Sequence, residues 1–361
     1  MYKHSILLLS FVLSIAIHSN GQGIAAYNDY RQRFHIFYQG IYQQIEHMPV
    51  LSYQQSGDAI AYVDNTNQFK IWHGGKVIDP KIFAQNFKYE AGRHMIAFSL
   101  GRILWSFENG MVNKLSNFAP NYFMGDSVLA YYDETMYSLM AIYHNEKIEL
   151  DAQLVNAPQS VKAGINTLAW VNGANFFKVF WSGQVHELEN MLPESFAAGG
   201  DLVAYVDGYQ SNFKMFYEGK VGILETFRPL SYKVGNRIAA YVNQQDELKI
   251  FQNGATSRLL SFAPDYYEVV GNMIIYANLN QWHVYYKGED YLLEEFMPSK
   301  VVKGFDGLAW LDNKGWLKYF DHGKIYTVSY EQVKNFVING DVLKYEIGNN
   351  TNHFYWKGQN Y

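Results

Sequence analysis

The sequence predicts an all-β protein, a β-propeller of tandem four-stranded antiparallel units, and three observations predict it. Between Pro193 and Pro298 one pattern is written three times, with prolines at 193, 229, 264 and 298 and steps of 36, 35 and 34 residues. Self-similarity at a fixed period of about 20 to 50 residues marks a repeat architecture. A glycine recurs near the middle of each unit, from Gly40, Gly75 and Gly110 through Gly183, Gly219 and Gly254 to Gly288, Gly323 and Gly358. The stretches between are short and rich in Tyr, Phe, Val and Ile, which suit a pleated and packed surface. Gly, Asn or Asp interrupts them about every eight residues, too often for the long unbroken runs of a helical repeat.

The chain opens on a segment outside this pattern. Lys3 and His4 precede an apolar run from Ile6 to Ile17, too short to cross a bilayer but suited to the centre of an export signal. Ser19 and Gly21 place small residues before a cut at Gln22, so residues 1–21 are expected to be a signal peptide and residues 22–361 the repeat domain. The expected location is outside the cytoplasm: periplasm, cell surface or medium. No further apolar run is long enough to span a membrane. The chain has no cysteine, which excludes disulfides, thiolate metal sites and thiol nucleophiles.

Within a unit the elements follow in a fixed order. An inner strand leads to a glycine, as at Gly57, Gly92, Gly125, Gly164, Gly200 and Gly235; several of these read as hairpin dipeptides, such as Gly200-Asp201. A second strand follows, such as Ala59 to Val63, ended by Asp64, Asp133, Asp207, Asp312, Asn172, Asn243 or Asn278 as Asx turns. Calcium loops need alternating acids and a closing Glu, which these turns lack. The third strand carries aromatics that recur in nearly every unit, as core residues should. It also carries Lys70, Lys178, Lys214, Lys249 and Lys318 at one position, where a carboxylate on a neighbouring strand is the expected partner. The mid-unit glycine then makes a tight turn requiring positive φ, and Asn145 fills its single gap because Asn tolerates that conformation. An outer strand and a linker complete the unit; seven of the eight prolines sit in that linker, where no ladder hydrogen bond is lost.

The unit resembles the repeat of TolB-type, WD-repeat-like propellers. Residues 229–260 carry the resemblance as P-L-S-Y-K-V-G, R-I-A-A-Y-V-N, L-K-I-F-Q-N-G and A-T-S-R-L-L. The family's Ser-Pro-Asp-Gly turn is missing. The resemblance implies a propeller fold and brings no functional residues with it. Ten mid-unit turns imply a ring of about eight to ten blades; two smaller rings, split near residues 145–165, are the alternative. The first unit lacks a recognisable leading strand.

Composition narrows the function classes. A net charge of -5 and a pI near 6.1, with no basic stripe, exclude a nucleic-acid partner. No His-x-x-x-His pair, nucleophile elbow or phosphate loop appears, and no metal or cofactor is expected. The strand after the linker escapes the repeat consensus. In propellers of this kind it lines the central channel, which makes Lys88, Glu90, Lys233, Glu268 and Lys300 the candidate ligand-binding residues. The expected function is an exported, non-catalytic scaffold for an envelope or extracellular protein. The alternatives are an enzyme acting on an extracellular glycan or peptide at the channel mouth, and a multivalent lectin.

Overall fold

A computed structural model of the chain describes residues 23–154, 158, 160–348 and 351–361, so the expected signal segment lies outside the described residues. Among those residues, 39 strands form ten antiparallel sheets, each a meander in sequence order. Nine sheets have four strands and the first, built from Ile24–Asn28, Phe34–Tyr38 and Ile41–Glu46, has three. We number the sheets as blades 1 to 10. Each blade buries both faces against its neighbours, which is why its second strand reads as a continuous apolar run such as Ala59–Val63.

The blades close into one ring. Blades 4 and 5 share a cluster containing Val128, Tyr132, Leu150, Leu154, Val161 and Trp170, so the blades pack together across the expected split and the two-ring alternative is overturned. Blade 10 meets blade 1 through the stacked rings of Phe37 and Phe354, 4.7 Å apart, backed by Ala25, Tyr27 and Val342. Among the described residues no strand is exchanged between the ends, because Gln359–Asn360 pairs inside blade 10.

Blade 1 has no inner strand among the described residues, and side chains cover the edge that such a strand would pair. Gln55, from the inner strand of blade 2, donates to Ile24 O at 2.5 Å and accepts from Ala26 N at 3.3 Å. Tyr53 Oη donates to Ala26 O at 3.4 Å, and Asn352 Nδ2 to Asn28 O at 3.2 Å. An uncovered edge would template pairing with another chain.

The mid-unit turns match expectation. Gly40, Gly183 and Gly219 have φ of 85°, 79° and 81°, and Asn145 has 62°. The residue before each is also left-handed, as at Glu218 with φ of 46°, which is the twist of a type I′ hairpin. Replacing Gly219 with Val should therefore destabilise the fold by about 1–2 kcal/mol, the cost of a side chain in that region. An unchanged urea midpoint would remove the assignment.

The other glycine series works differently from the hairpin reading. Gly57, Gly92, Gly125, Gly164, Gly200 and Gly235 do not have positive φ; among the later members only Gly271 and Gly340 do. What the members from Gly57 to Gly271 share is contact with the next blade's backbone, whereas Gly304 meets the Ile338 side chain and nothing lies within 4 Å of a Cβ at Gly340. Gly57 N donates to Arg93 O at 2.7 Å, Gly200 N to Gly235 O at 2.8 Å and Asn236 N to Gly271 O at 2.7 Å. Ser127 N to Ile165 O, Ile165 N to Gly199 O and Asn272 N to Phe305 O continue the belt from blade to blade at 2.9 to 3.1 Å. A side chain here would separate two backbones, so glycine is required for close approach.

Polar side chains clasp the blades further out. Lys70 of blade 2 lies 2.8 Å from both Glu46 of blade 1 and Asp64 of its own blade. Lys214 lies 2.7 Å from Glu189 and 3.4 Å from Asp207, and Lys249 lies 2.8 Å from Glu225. Lys178 and Lys318 reach Asp151 and Asp312 at 3.5 and 3.8 Å. The expected ladder is thus inter-blade for four of the lysines, while Lys318 pairs within blade 9. The Asx turns also hold: Asp64 Oδ1 accepts from Thr66 N and Gln68 N at 2.8 and 2.9 Å, and Asn172 and Asn243 repeat the arrangement. Asn278 departs from it, because its turn is a two-residue hairpin with Leu279 and Asn280 both left-handed.

Candidate functional site

The inner strands surround a channel, and the belt of hairpins narrows it at one end of the ring. A cavity of about 550 Å³ there is walled by glycines and by small side chains such as Ala91, Ala163, Ala198 and Val234. A second cavity of about 570 Å³ opens beside it, where among the described residues no belt hydrogen bond joins blade 9 to blade 10 or blade 10 to blade 2. Arg93 and Phe305 stand between them. The Arg93 guanidinium carbon lies 3.8 Å from the Phe305 ring centroid. Blades 3 and 9 are four places apart around the ring, so this cation–π contact reaches across the channel.

Several acids line this mouth, and most are engaged. Asp341 accepts from Gly23 N at 3.0 Å and from Trp356 Nε1 at 2.8 Å, tying blade 10 to blade 1. Asp306 accepts from Asn272 Nδ2 at 2.6 Å, and Asp321 meets His322 Nδ1 at 2.5 Å. Asp126 differs: burial pushes its carboxyl above the usual range, with Arg93 and His94 opposing. No group of three or more potential metal ligands occurs among the described residues. The mouth offers hydrogen-bonding groups and one protonatable acid, the parts of a binding surface.

The predicted site residues do not converge. Glu90 is exposed and lines the channel cavity; Lys88, one step away on the same face of that strand, is also exposed. Glu268 accepts from Tyr266 Oη and Lys303 Nζ. Burial raises its carboxyl pKa, but those two partners outweigh it and hold the group below the usual range, with Lys233 adding to the pull. Lys300 lies elsewhere, 3.1 Å from Asn335 Oδ1 and 4.6 Å from the Phe336 ring centroid in blade 10. Sequence reasoning missed Lys303 as the partner of Glu268, and it missed Arg93 and Phe305 because neither strand pattern nor spacing relates blades 3 and 9. Their signal was that each replaces a small or polar residue beside a belt glycine.

The chain matches the family described as "10-bladed beta propeller domain" over residues 18–361. It belongs to that family. No curated protein sequence matches the chain. Among solved structures, it is similar to the CRINKLY WD40 ectodomain of the Arabidopsis thaliana receptor kinase ACR4, at 9% identity and a TM-score of 0.33, covering 66% of this chain and 94% of that one. The ectodomain of the Physcomitrella patens receptor kinase CR4 matches at 7% identity and a TM-score of 0.36, covering 66% and 73%. The computationally designed Ika8 protein matches at 10% identity and 0.34, covering 74% and 95%. Nothing of what those proteins do passes to this ten-bladed ring at such similarity. No helix among the described residues is long and apolar enough to cross a membrane.

Proposed function

We propose that this ten-bladed ring is an exported, non-catalytic scaffold that binds an envelope or extracellular protein. The observation that supports it is an asymmetry between the two ends of the ring. One end carries the belt hairpins and the mid-unit turns. The other, the linker face, carries the outer-to-inner linkers and the Asx turns. Among the described residues, none of the large apolar side chains that are exposed lies in a turn of the hairpin end. Fourteen lie on the linker face, among them Tyr209, Phe227, Leu230, Leu279 and Tyr330, and the rest lie on outer strands. Exposed apolar groups gathered on one face mark a protein interaction surface.

Export rests on the expected signal segment. The finer kinship to TolB-type propellers rests on the unit at 229–260. Within this reading Lys88, Glu90, Lys233 and Glu268 set the polarity of the channel, and Lys300 contributes to the linker region beside blade 10. The test is a pull-down from native envelope extract with tagged protein from Gln22 to Tyr361, read by mass spectrometry. One or two proteins recovered in stoichiometric amount, and lost with Phe227→Ser plus Leu230→Ser, are expected. Capture unaffected by that pair, or no capture by a folded sample, would end the proposal.

A further inference from the structure

Blade 10 breaks the repeat where it faces the incomplete blade. In the second strand of each blade, one position points toward the next blade around the ring. It is alanine in eight blades, as at Ala26, Ala61, Ala204 and Ala309, and Ile275 in blade 8. Ala61 and Val63 show why it stays small: they pack under the inner strand of blade 3, against Phe87, Tyr89 and Ala91. Blade 10 carries Lys344 at this position and Glu346 two residues on, where Val63 and Val206 stand in other blades. Their neighbour is blade 1, the blade with no inner strand among the described residues. The repeat is broken where the described residues supply no covering strand.

The space is a cavity of about 490 Å³ between blades 10, 1 and 2, at the linker face, lined by Asn28, Tyr30, Tyr53, Lys344, Glu346 and Asn352 among others. Asp29 also borders it, but its carboxylate is taken by Arg33, at 2.6 Å, and by His35, at 3.3 Å. Two other groups are unused. Asn28 Oδ1 is buried with no hydrogen-bond partner, and the amine of half-buried Lys344 makes no hydrogen bond or ion pair among the described residues. A buried polar group left unpaired costs free energy, and an ammonium drawn partly out of water without a partner does too, so the two residues bordering one cavity point to something that pairs them.

We propose that this cavity is a single saccharide-binding site, taking one or two sugar units of a glycan. A hydroxyl group both donates and accepts, and the cavity asks for both. Lys344 needs an acceptor, while Glu346 and Asn28 Oδ1 need donors. Its walls are polar apart from the Tyr30 and Tyr53 rings, and Lys344 balances Glu346, which suits a neutral polyol. Tyr30, 69% exposed at the rim, provides a ring face for a sugar. Burial also holds the Lys344 ammonium pKa below its ordinary value, with Glu346 opposing, so an oxygen-rich ligand replaces solvation that the amine has lost. The site is unique in the ring, unlike a lectin with one site per blade, and it does not depend on the protein partner proposed above.

The test is isothermal titration calorimetry of the purified protein with glucose, galactose, mannose, N-acetylglucosamine, cellobiose and maltose. Glycine and glutamate form a second arm, because an amino acid would also pair Lys344 and Glu346. At least one saccharide is expected to bind one per chain. Lys344→Ala and Glu346→Val each restore a residue of the repeat, so both should fold, with melting temperatures no lower than the parent. Each should weaken saccharide binding by about tenfold or more. Three results would each overturn the site: no heat from any of the six sugars up to about 10 mM, affinity kept within about twofold in either variant, or binding of the amino acids in place of sugars.

Discussion

Gly164→Ala is expected to destabilise the ring far more than any ordinary glycine-to-alanine change. Gly164 has no positive φ, so alanine costs nothing in backbone conformation there. The cost is steric. A Cβ at Gly164 would overlap the carbonyl oxygen of Gly199 and lie 2.6 Å from Ala198 C and 2.7 Å from Gly199 N. All three atoms are backbone, and they belong to the neighbouring blade. Relief requires blades 5 and 6 to separate, which breaks the hydrogen bond from Ile165 N to Gly199 O at 3.0 Å. Overpacking costs about 1–3 kcal/mol, and the upper end applies because no side chain can rotate away. Gly173→Ala is the control, since nothing lies within 4 Å of its Cβ and its φ is not positive. A surface change of that kind stays within about 0.5 kcal/mol of neutral. Equal urea midpoints for the two variants would show that the glycine belt does not join the blades.

The same belt shows where sequence reasoning reached and where it stopped. Period, strand order and the mid-unit turn were legible because each is a local property: alternating runs, a left-handed residue, a proline off the ladder. The Gly57 to Gly304 series was visible as a pattern, but its cause lies between blades. A glycine needed for positive φ and one needed for close approach look alike in a sequence. Asn145 distinguished the first kind by substituting for it. No comparable substitution marked the second. Blade number was legible to within the error set by the first unit, whose inner edge is covered by Gln55, Tyr53 and Asn352 from other blades.

The candidate site was less legible for a related reason. Departures from the repeat were sought in the inner strand, and they were present, yet Glu268 meets Lys303 and Lys300 lies apart beside Asn335. The departure with the clearest structural context, Lys344 and Glu346, lies in the second strand of blade 10. It becomes meaningful only once that blade is known to face a gap. In a closed ring the first and last units are neighbours, and a reading that runs along the chain sees them as the two most distant.

Removing Lys214 should be the second large effect. Its ammonium lies 2.7 Å from Glu189 of blade 5 and 3.4 Å from Asp207 of blade 6, and Glu189 also accepts from Tyr205 Oη at 2.8 Å. Lys214→Met keeps the stem and leaves two carboxylates facing each other with no cation between them. Breaking a fully buried pair costs about 3–5 kcal/mol; with 17% and 20% of the Lys214 and Glu189 side chains still exposed, about 2 kcal/mol is the expected loss. Adding Glu189→Gln should recover part of it, so the double variant should be more stable than the sum of the single losses predicts. Strict additivity would mean that the two side chains do not interact. The clasps also set a pH dependence. Burial raises the Asp64 pKa, but Lys70 and the turn amides outweigh it and hold the group at about 2. A carboxyl lowered on folding stabilises the fold above its unfolded value near 3.9 and loses that contribution as pH falls toward the folded value. Burial lowers the Lys70 pKa, but Asp64 and Glu46 outweigh it and raise it, so Lys70 acts in the opposite range: its contribution is complete below about pH 10 and declines above it. The melting temperature should therefore fall between about pH 4 and pH 2. Asp64→Asn should flatten that fall, and a curve of unchanged steepness in Asp64→Asn would refute the assignment.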